Sequence, residues 1–333
     1  MKVAVLSPVA WRTPPRHYGP WEQVASNLTE GLVAAGIEVT LFATGDSVTT
    51  AALNSVVKKG YEDEHGQDAK VLECLHISNL MEQAADFDLV HNHFDFLPLS
   101  YSKLIQTPMI TTIHGFSSER IIPVYQKYND SSYFVSISNA NRHPLLDYLG
   151  TVYNGLDTTN FTFIPEAGDY LLFFGRIHPD KGTAEAIQIA LKSKRKLLIA
   201  GIIQDENYYR EKVEPYLSED IIFLGSAGPA QRNELLGGAY ALLHPINFAE
   251  PFGMSVAEAM LCGTPVIAFN KGSMPELIKN GKTGFLVNNV EEAALAVSQL
   301  GKIDRKRCRI WAEQQFSKEK MVEDYLALYH QIL

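Results

Sequence analysis

The feature that most constrains this fold is an alternation that occurs twice. Five short runs rich in β-branched and aromatic residues, "VAVLSP" (3–8), "EVTLFAT" (38–44), "DLVHNH" (88–93), "MITTIH" (109–114) and "YFVSIS" (133–138), are each followed by a helix-like segment. A second series follows: "YLLFFG" (170–175), "KLLIAG" (196–201), "IIFLG" (221–225), "YALLHP" (240–245) and "TPVIAF" (264–269). Strand–helix alternation of this kind implies parallel sheets covered by helices on both faces. Between the two series lies "YNGLDTTNFTFIPEAGD" (153–169), rich in Asn, Gly, Thr, Asp and Pro and poor in periodicity, as suits an interdomain connection. The expectation is an α/β chain of two doubly wound, Rossmann-like domains facing across a cleft, residues 1–155 and 156–316, with ligand crevices at the carboxyl ends of the strands.

At 333 residues the chain has room for two domains of ordinary size. Three widely spaced cysteines, Cys74, Cys262 and Cys308, form neither a disulfide framework nor a structural zinc motif, which points to a reducing cytoplasm. The opening apolar run is too short for a signal-peptide core or a membrane span, so a chain that is soluble and not exported is expected. Residues 1–150 carry 10 Lys and Arg against 16 Asp and Glu, and residues 151–333 carry 19 against 22. In so acidic a chain the basic runs "KSKRK" (192–196) and "RKRCR" (305–309) read as solvated turns with cations near helix C-termini, and nucleic acid is not an expected partner. The closing "FSKEKMVEDYLALYHQIL" (316–333) places Met321, Tyr325, Leu328 and Tyr329 on one face of an amphipathic helix.

Two stretches carry chemistry. In "LLFFGRIHPDKG" (171–182) a buried strand runs into Gly175, Arg176, Lys181 and Gly182, and a forked guanidinium plus a point-charge ammonium on a proline-constrained turn suit the two phosphates of a diphosphate. In "HPINFAEPFGMSVAEAMLCGTPVIA" (244–268), Gly253 permits close backbone approach, and the N–H groups around Met254 and Ser255 open a helix whose positive end can receive a phosphate. Glu250 precedes that helix and Glu258 lies inside it, so they reach different parts of one ligand. A carboxylate accepts two hydrogen bonds from a vicinal diol, and a ligand with a sugar at each end of a diphosphate is a nucleotide-sugar. "HNHFD" (91–95) offers His91, His93 and Asp95 to a metal, but no distant third ligand with a recognisable motif accompanies them, and "DFD" (86–88) precedes its strand; neither metal nor cofactor is expected.

"FGRIHPDKG", "EPFGMSVAEAMLCGTPVIA", "YNGLD" and "FSKEKMVEDYLALY" together resemble the retaining glycosyltransferases of family four, which have the GT-B fold. The resemblance implies that Glu250 holds the donor hexose, Glu258 the nucleotide ribose, and Arg176 and Lys181 the diphosphate. Phe252, Gly253, Met254 and Ser255 would help place the donor. It also implies that the first domain is the acceptor side, that the second binds the nucleotide-sugar, and that the closing helix, 317–333, crosses back onto the first domain. "HYGPWEQVASNLTEGLVAAGIEVTLFATGDS" (17–47) is similar to the family's glycine-containing loop, with Gly19 toward the donor phosphate, and His114 matches the histidine beside the transferred sugar.

The activity so implied is metal-independent transfer of a hexosyl group, with retention, from a nucleoside-diphosphate sugar to an acceptor hydroxyl. Uridine is the base expected, and a soluble small molecule or glycan is favoured over a lipid as acceptor. A sugar-nucleotide epimerase or phosphorylase of the same architecture and a non-catalytic nucleotide-sugar-binding protein are the alternatives. A glycosidase reading of Glu250 and Glu258 leaves the cationic turn unexplained.

Overall fold

The computed structural model describes residues 1–64 and 66–333 and divides them into two units, Met1–Leu156 with Lys318–Leu333, and Asp157–Ser317. The first unit holds β1 (Lys2–Leu6), β2 (Glu38–Phe42), β3 (Ala52–Asn54), β4 (Leu89–Asn92), β5 (Met109–Ile113), β6 (Tyr133–Ser136) and β7 (Tyr148–Thr151), ordered β3-β2-β1-β4-β5-β6-β7. All of these pairings are parallel. Because successive side chains point to opposite faces, Val3 and Val5 enter one core with Leu41, Leu89 and Ile110, while Ala4 and Leu6 enter the other with Phe42, Val90 and Phe134. Burial on both faces is why these strands read as unbroken apolar runs.

The closing helix, Lys318–Ile332, covers the first of those faces: Met321, Val322, Tyr325, Leu328 and Tyr329 join Val24, Leu28 and Leu32 of the helix Pro20–Ala34. Gly31 allows this approach, since a Cβ there would lie 2.4 Å from Val322 Cγ2. The closing helix also reaches the sheet with polar groups. Tyr329 Oη bonds His91 Nδ1 at 2.5 Å, and Tyr325 Oη bonds Thr112 Oγ1 at 2.6 Å.

The second unit holds β8 (Tyr170–Phe174), β9 (Lys196–Ala200), β10 (Ile221–Gly225), β11 (Ala241–His244), β12 (Val266–Phe269) and β13 (Gly284–Val287), ordered β10-β9-β8-β11-β12-β13 and parallel throughout. Three strands carry no clear sequence signal: β3 and β7 are short edge strands, and β13 opens on Gly284, where a Cβ would lie 2.0 Å from the Val266 carbonyl oxygen. Among the described residues no helix is long and apolar enough to cross a membrane.

One sequence reading is corrected here. Residues 305–309 are not a solvated turn at a helix C-terminus; they form the first turns of the helix Arg305–Phe316, capped by Asp304. The buried Arg305 donates to the carbonyls of Ile164, Gly237 and Ala239, and Arg309 to those of Phe161 and Leu261. Backbone oxygens that would otherwise be unpaired in the interior account for the cations.

Candidate functional site

In the second unit β8 and β11 are neighbours from which the chain winds outward in opposite directions, the switch point at which open α/β sheets bind ligands. The loops leaving these two strands are stitched together. Asn247 N–H donates to the Asp180 carbonyl at 2.7 Å, and Gly182, at φ 77°, lies so close to Pro245 that a Cβ would sit 1.9 Å from its carbonyl oxygen. The turn Pro179–Lys181 then delivers the Lys181 ammonium onto the Glu250 carboxylate, with Nζ 4.7 Å from the centre of the Phe248 ring.

Glu250 is held firmly. Its carbonyl accepts from Ser273 N–H at 3.0 Å, and Gly272 packs so tightly that a Cβ would lie 2.4 Å from the Glu250 nitrogen. His244, at the end of β11, brings Nε2 to 3.7 Å from Glu250 Oε2, yet that buried nitrogen has no hydrogen-bond partner. Burial, with the Lys181 charge second, drives the His244 pKa down to about 3, so it faces the pair as a neutral imidazole.

Gly253, at φ 94°, turns the chain into the helix Met254–Leu261, whose first turn carries no side-chain cap. Inside that helix Glu258 is buried and accepts from Arg232 Nη1 at 3.1 Å. Burial raises its pKa and Arg232 opposes the rise. Arg176, by contrast, is turned onto Gln204 Oε1. The structure therefore brings Lys181, Glu250 and His244 together, while Arg176 and Glu258 engage other partners. His244, Phe248, Gln204 and Arg232 are additions to the residues read from the sequence. Only His244 and Phe248 lay within the motif stretch, and nothing in the spacing revealed that His244 is buried.

In the first unit His114 follows β5 and is buried, with Nε2 3.0 Å from His93 Nδ1. Trp21 stacks on its ring at 5.5 Å and 19°. Burial lowers the pKa of His114 to about 3, so the histidine contacts are between neutral rings. The side chains of the three candidate ligands in "HNHFD" hydrogen-bond to different partners, although the His91 and His93 rings lie 4.2 Å apart: His91 binds Tyr329 and Thr112, His93 binds His114, and Asp95 accepts from Tyr125 Oη. Gly19, at φ 149°, caps the helix Pro20–Ala34; a Cβ there would lie 2.9 Å from both Pro15 Cβ and Glu22 Oε2.

Glu22 is 3% exposed, and burial, only partly offset by hydrogen bonds from backbone N–H groups including that of Trp11, pushes its pKa up to about 7. The folded chain thus holds this proton where the unfolded chain releases it. Stability attributable to Glu22 falls as pH rises from about 4.3 to 7 and is lost fully above that. Glu22→Gln, which keeps an acceptor for Trp11 N–H, is expected to be more stable than wild type at pH 8 by on the order of 2–3 kcal/mol and nearly equal at pH 4. Denaturant melts at the two pH values check this; equal differences at both would contradict it.

Residues 21–160 match the family model "Glycosyltransferase Family 4", and residues 158–317 match "Glycosyl transferases group 1". Glycogen synthase of Mycobacterium tuberculosis is 23% identical over 89% of this chain and 85% of its own length. An uncharacterized 41.2 kDa protein in the cps region of Klebsiella pneumoniae is 32% identical over 48% of this chain, and the match spans only 45% of that relative. Among solved structures, AviGT4, a glycosyltransferase involved in avilamycin A biosynthesis, superposes with TM-score 0.74 at 24% identity, covering 99% of this chain and 97% of that one. HepE of Anabaena in complex with UDP and glucose superposes with TM-score 0.74 at 18% identity, covering 99% and 100%.

Two parallel α/β units of this strand order define the GT-B class of glycosyltransferase. The chain belongs to glycosyltransferase family four.

Proposed function

We propose that the protein transfers a hexosyl group from a nucleoside-diphosphate sugar, with UDP as the carrier, to an acceptor hydroxyl with retention of anomeric configuration and without a metal. The observation that carries this reading is the Lys181–Glu250 pair, half-buried at the β8/β11 switch point beside the uncapped helix start at Met254. Glu250 is assigned to the hexose hydroxyls and Lys181 to the diphosphate, the flexible lysine stem swinging from the carboxylate to the phosphate as donor enters. Arg176 turns from Gln204 to the second phosphate. The N–H groups of Met254 and Ser255, with Phe252 and Gly253 shaping the approach, add dipolar charge at the leaving group. The buried Glu258, oriented by Arg232, takes the ribose.

As the bond from the anomeric carbon to the leaving phosphate oxygen breaks, its electron pair stays on that oxygen. The acceptor oxygen bonds the carbon, and its proton passes to the departing diphosphate. Lys181, Arg176 and the helix start stabilise the charge that develops there. Gly19 is assigned to close backbone approach at the phosphate, and the neutral His114 to hydrogen bonding with the transferred sugar. The HepE complex with UDP and glucose supports a nucleotide-sugar donor here.

Incubation with UDP-, GDP- and ADP-hexoses and a mixed saccharide acceptor pool tests the proposal. UDP release that depends on acceptor, with an α-linked product from an α-linked donor by proton NMR, is expected. Release from none of the donors, or an inverted product, would contradict it.

A further inference from the structure

The first unit contains a cavity of about 460 Å³ that shares only Gly19 with the donor assignments; it is bounded by Pro8, Ala10 and Trp11, by residues 18–22, by Tyr61 and Glu73, and by residues 94–97. Its size is within the range of small-molecule sites. Six aromatic rings line it, those of Trp11, Tyr18, Trp21, Tyr61, Phe94 and Phe96. Three carboxyl groups, Glu22, Glu73 and Asp95, share the lining with them, and among the described residues no lysine or arginine does.

The arginines of the adjoining loop are directed elsewhere. Arg12 Nε donates to the Pro14 carbonyl at 2.8 Å, and Arg16 pairs with Asp46 at 3.8 Å. The carboxyl groups are held in place: Tyr61 Oη donates to Glu73 Oε1 at 3.1 Å, Tyr125 Oη donates to Asp95 Oδ1, and Trp11 N–H donates to Glu22 Oε1 at 3.3 Å. Burial raises the pKa of all three, that of Glu22 to about 7 and that of Asp95 to about 6, so these two are partly protonated near neutral pH and can both accept and donate.

We propose that this cavity is the acceptor site and that it takes a saccharide bearing no anionic group. The assignment rests on the transferase reading above. Aromatic faces match the apolar C–H faces of pyranose rings, and carboxyl groups between them accept from hydroxyls that would otherwise lose their hydrogen bonds on leaving water. A phosphate or carboxylate on the acceptor would meet three acids and no lining cation, and a buried charge without a partner is strongly disfavoured. Trp21 ties the cavity to the chemistry: it lines the wall and stacks on His114.

The three tryptophans give a direct readout, because only Trp311 lies outside the cavity lining. In full-length Trp311→Phe protein, fluorescence then reports Trp11 and Trp21. Maltose, cellobiose, lactose and glucosamine are the neutral and amine-bearing probes; glucose 6-phosphate and glucuronate are the anionic ones. We expect saturable fluorescence changes from at least one probe of the first set, binding of both anionic probes weaker than it by about tenfold or more, and a weakening of several-fold for that probe in Glu73→Gln. Glu73→Lys should narrow or reverse the order. Anionic probes binding as tightly as neutral ones, or no response from any saccharide, would overturn the inference. A thermal shift with UDP, GDP and ADP on the same samples separates the two layers: stabilisation by a nucleotide without any saccharide response sinks only the acceptor assignment, whereas silence to all three sinks the donor reading.

Discussion

Lys181→Met is expected to lower kcat by roughly 100- to 1000-fold, with the melting temperature reduced by only a few degrees. Methionine keeps an apolar stem over Phe248 and removes only the charge. Two consequences follow at the leaving group. The diphosphate loses a cation whose attraction at about 4 Å amounts to roughly 4 kcal/mol at an effective dielectric of ~20. The Glu250 carboxylate, now without its ammonium, faces the same phosphates as an uncompensated negative charge. Every factor of ten in rate corresponds to about 1.4 kcal/mol, so part of this interaction suffices for the expected loss. Steady-state kinetics with the preferred donor check it, and a kcat within threefold of wild type would remove Lys181 from the transfer chemistry. Glu250→Gln in the same assay is informative, because it frees the lysine while weakening the hold on the hexose.

Gly182→Ala should destabilise the second unit by about 3–5 kcal/mol and abolish donor binding together with it. Two costs add. The backbone at φ 77° disfavours any side chain by about 1–2 kcal/mol. The added Cβ would also sit 1.9 Å from the Pro245 carbonyl oxygen, so the two loops must part. Parting them pulls Lys181 away from Glu250, since these loops carry the two residues. Gly281 provides the control. It has φ 72° and nothing within 4 Å of an added Cβ, so Gly281→Ala incurs the backbone cost alone, about 1–2 kcal/mol, and should bind donor normally. Equal effects at both glycines in thermal melts would show that the Gly182–Pro245 contact does not hold the site together.

Much of the fold was readable because the inner strands of both sheets are buried on both faces, which turns β1, β2, β4 to β6, β8, β9, β11 and β12 into apolar runs too regular to miss; the half-buried edge strand β10 still reads "IIFLG". Edge strands escape this logic. β3 reads "ALN" and β7 reads "YLGT", and neither needs a full apolar set. The closing helix was visible from its spacing, yet its tyrosine contacts with His91 and Thr112 span more than 200 residues and leave no local trace.

The candidate site shows the same division. Arg176, Lys181, Glu250 and Glu258 were each recognisable at a strand end or helix start, but which ones touch was not. Lys181 meets Glu250, whereas Arg176 and Glu258 find Gln204 and Arg232, residues with no motif of their own. The arginines at 305 and 309 were misread because their partners include carbonyls up to 141 and 151 residues away. The cavity of the first unit draws Tyr61 and Glu73 from a segment without sequence signature, and only folding brings them to Trp11 and Phe94.

The central claim is that the second unit binds a nucleotide-sugar through Glu258 and the Lys181–Glu250 pair, and calorimetric titration of UDP into wild type and Glu258→Gln tests it most directly. Glutamine preserves the shape and an acceptor for Arg232 while weakening the bond to a ribose diol. Saturable UDP binding to wild type, weakened about tenfold or more in the variant with no loss of thermal stability, is the result predicted. UDP binding that the substitution leaves unchanged, or no binding of UDP, GDP or ADP to wild type, would contradict the account.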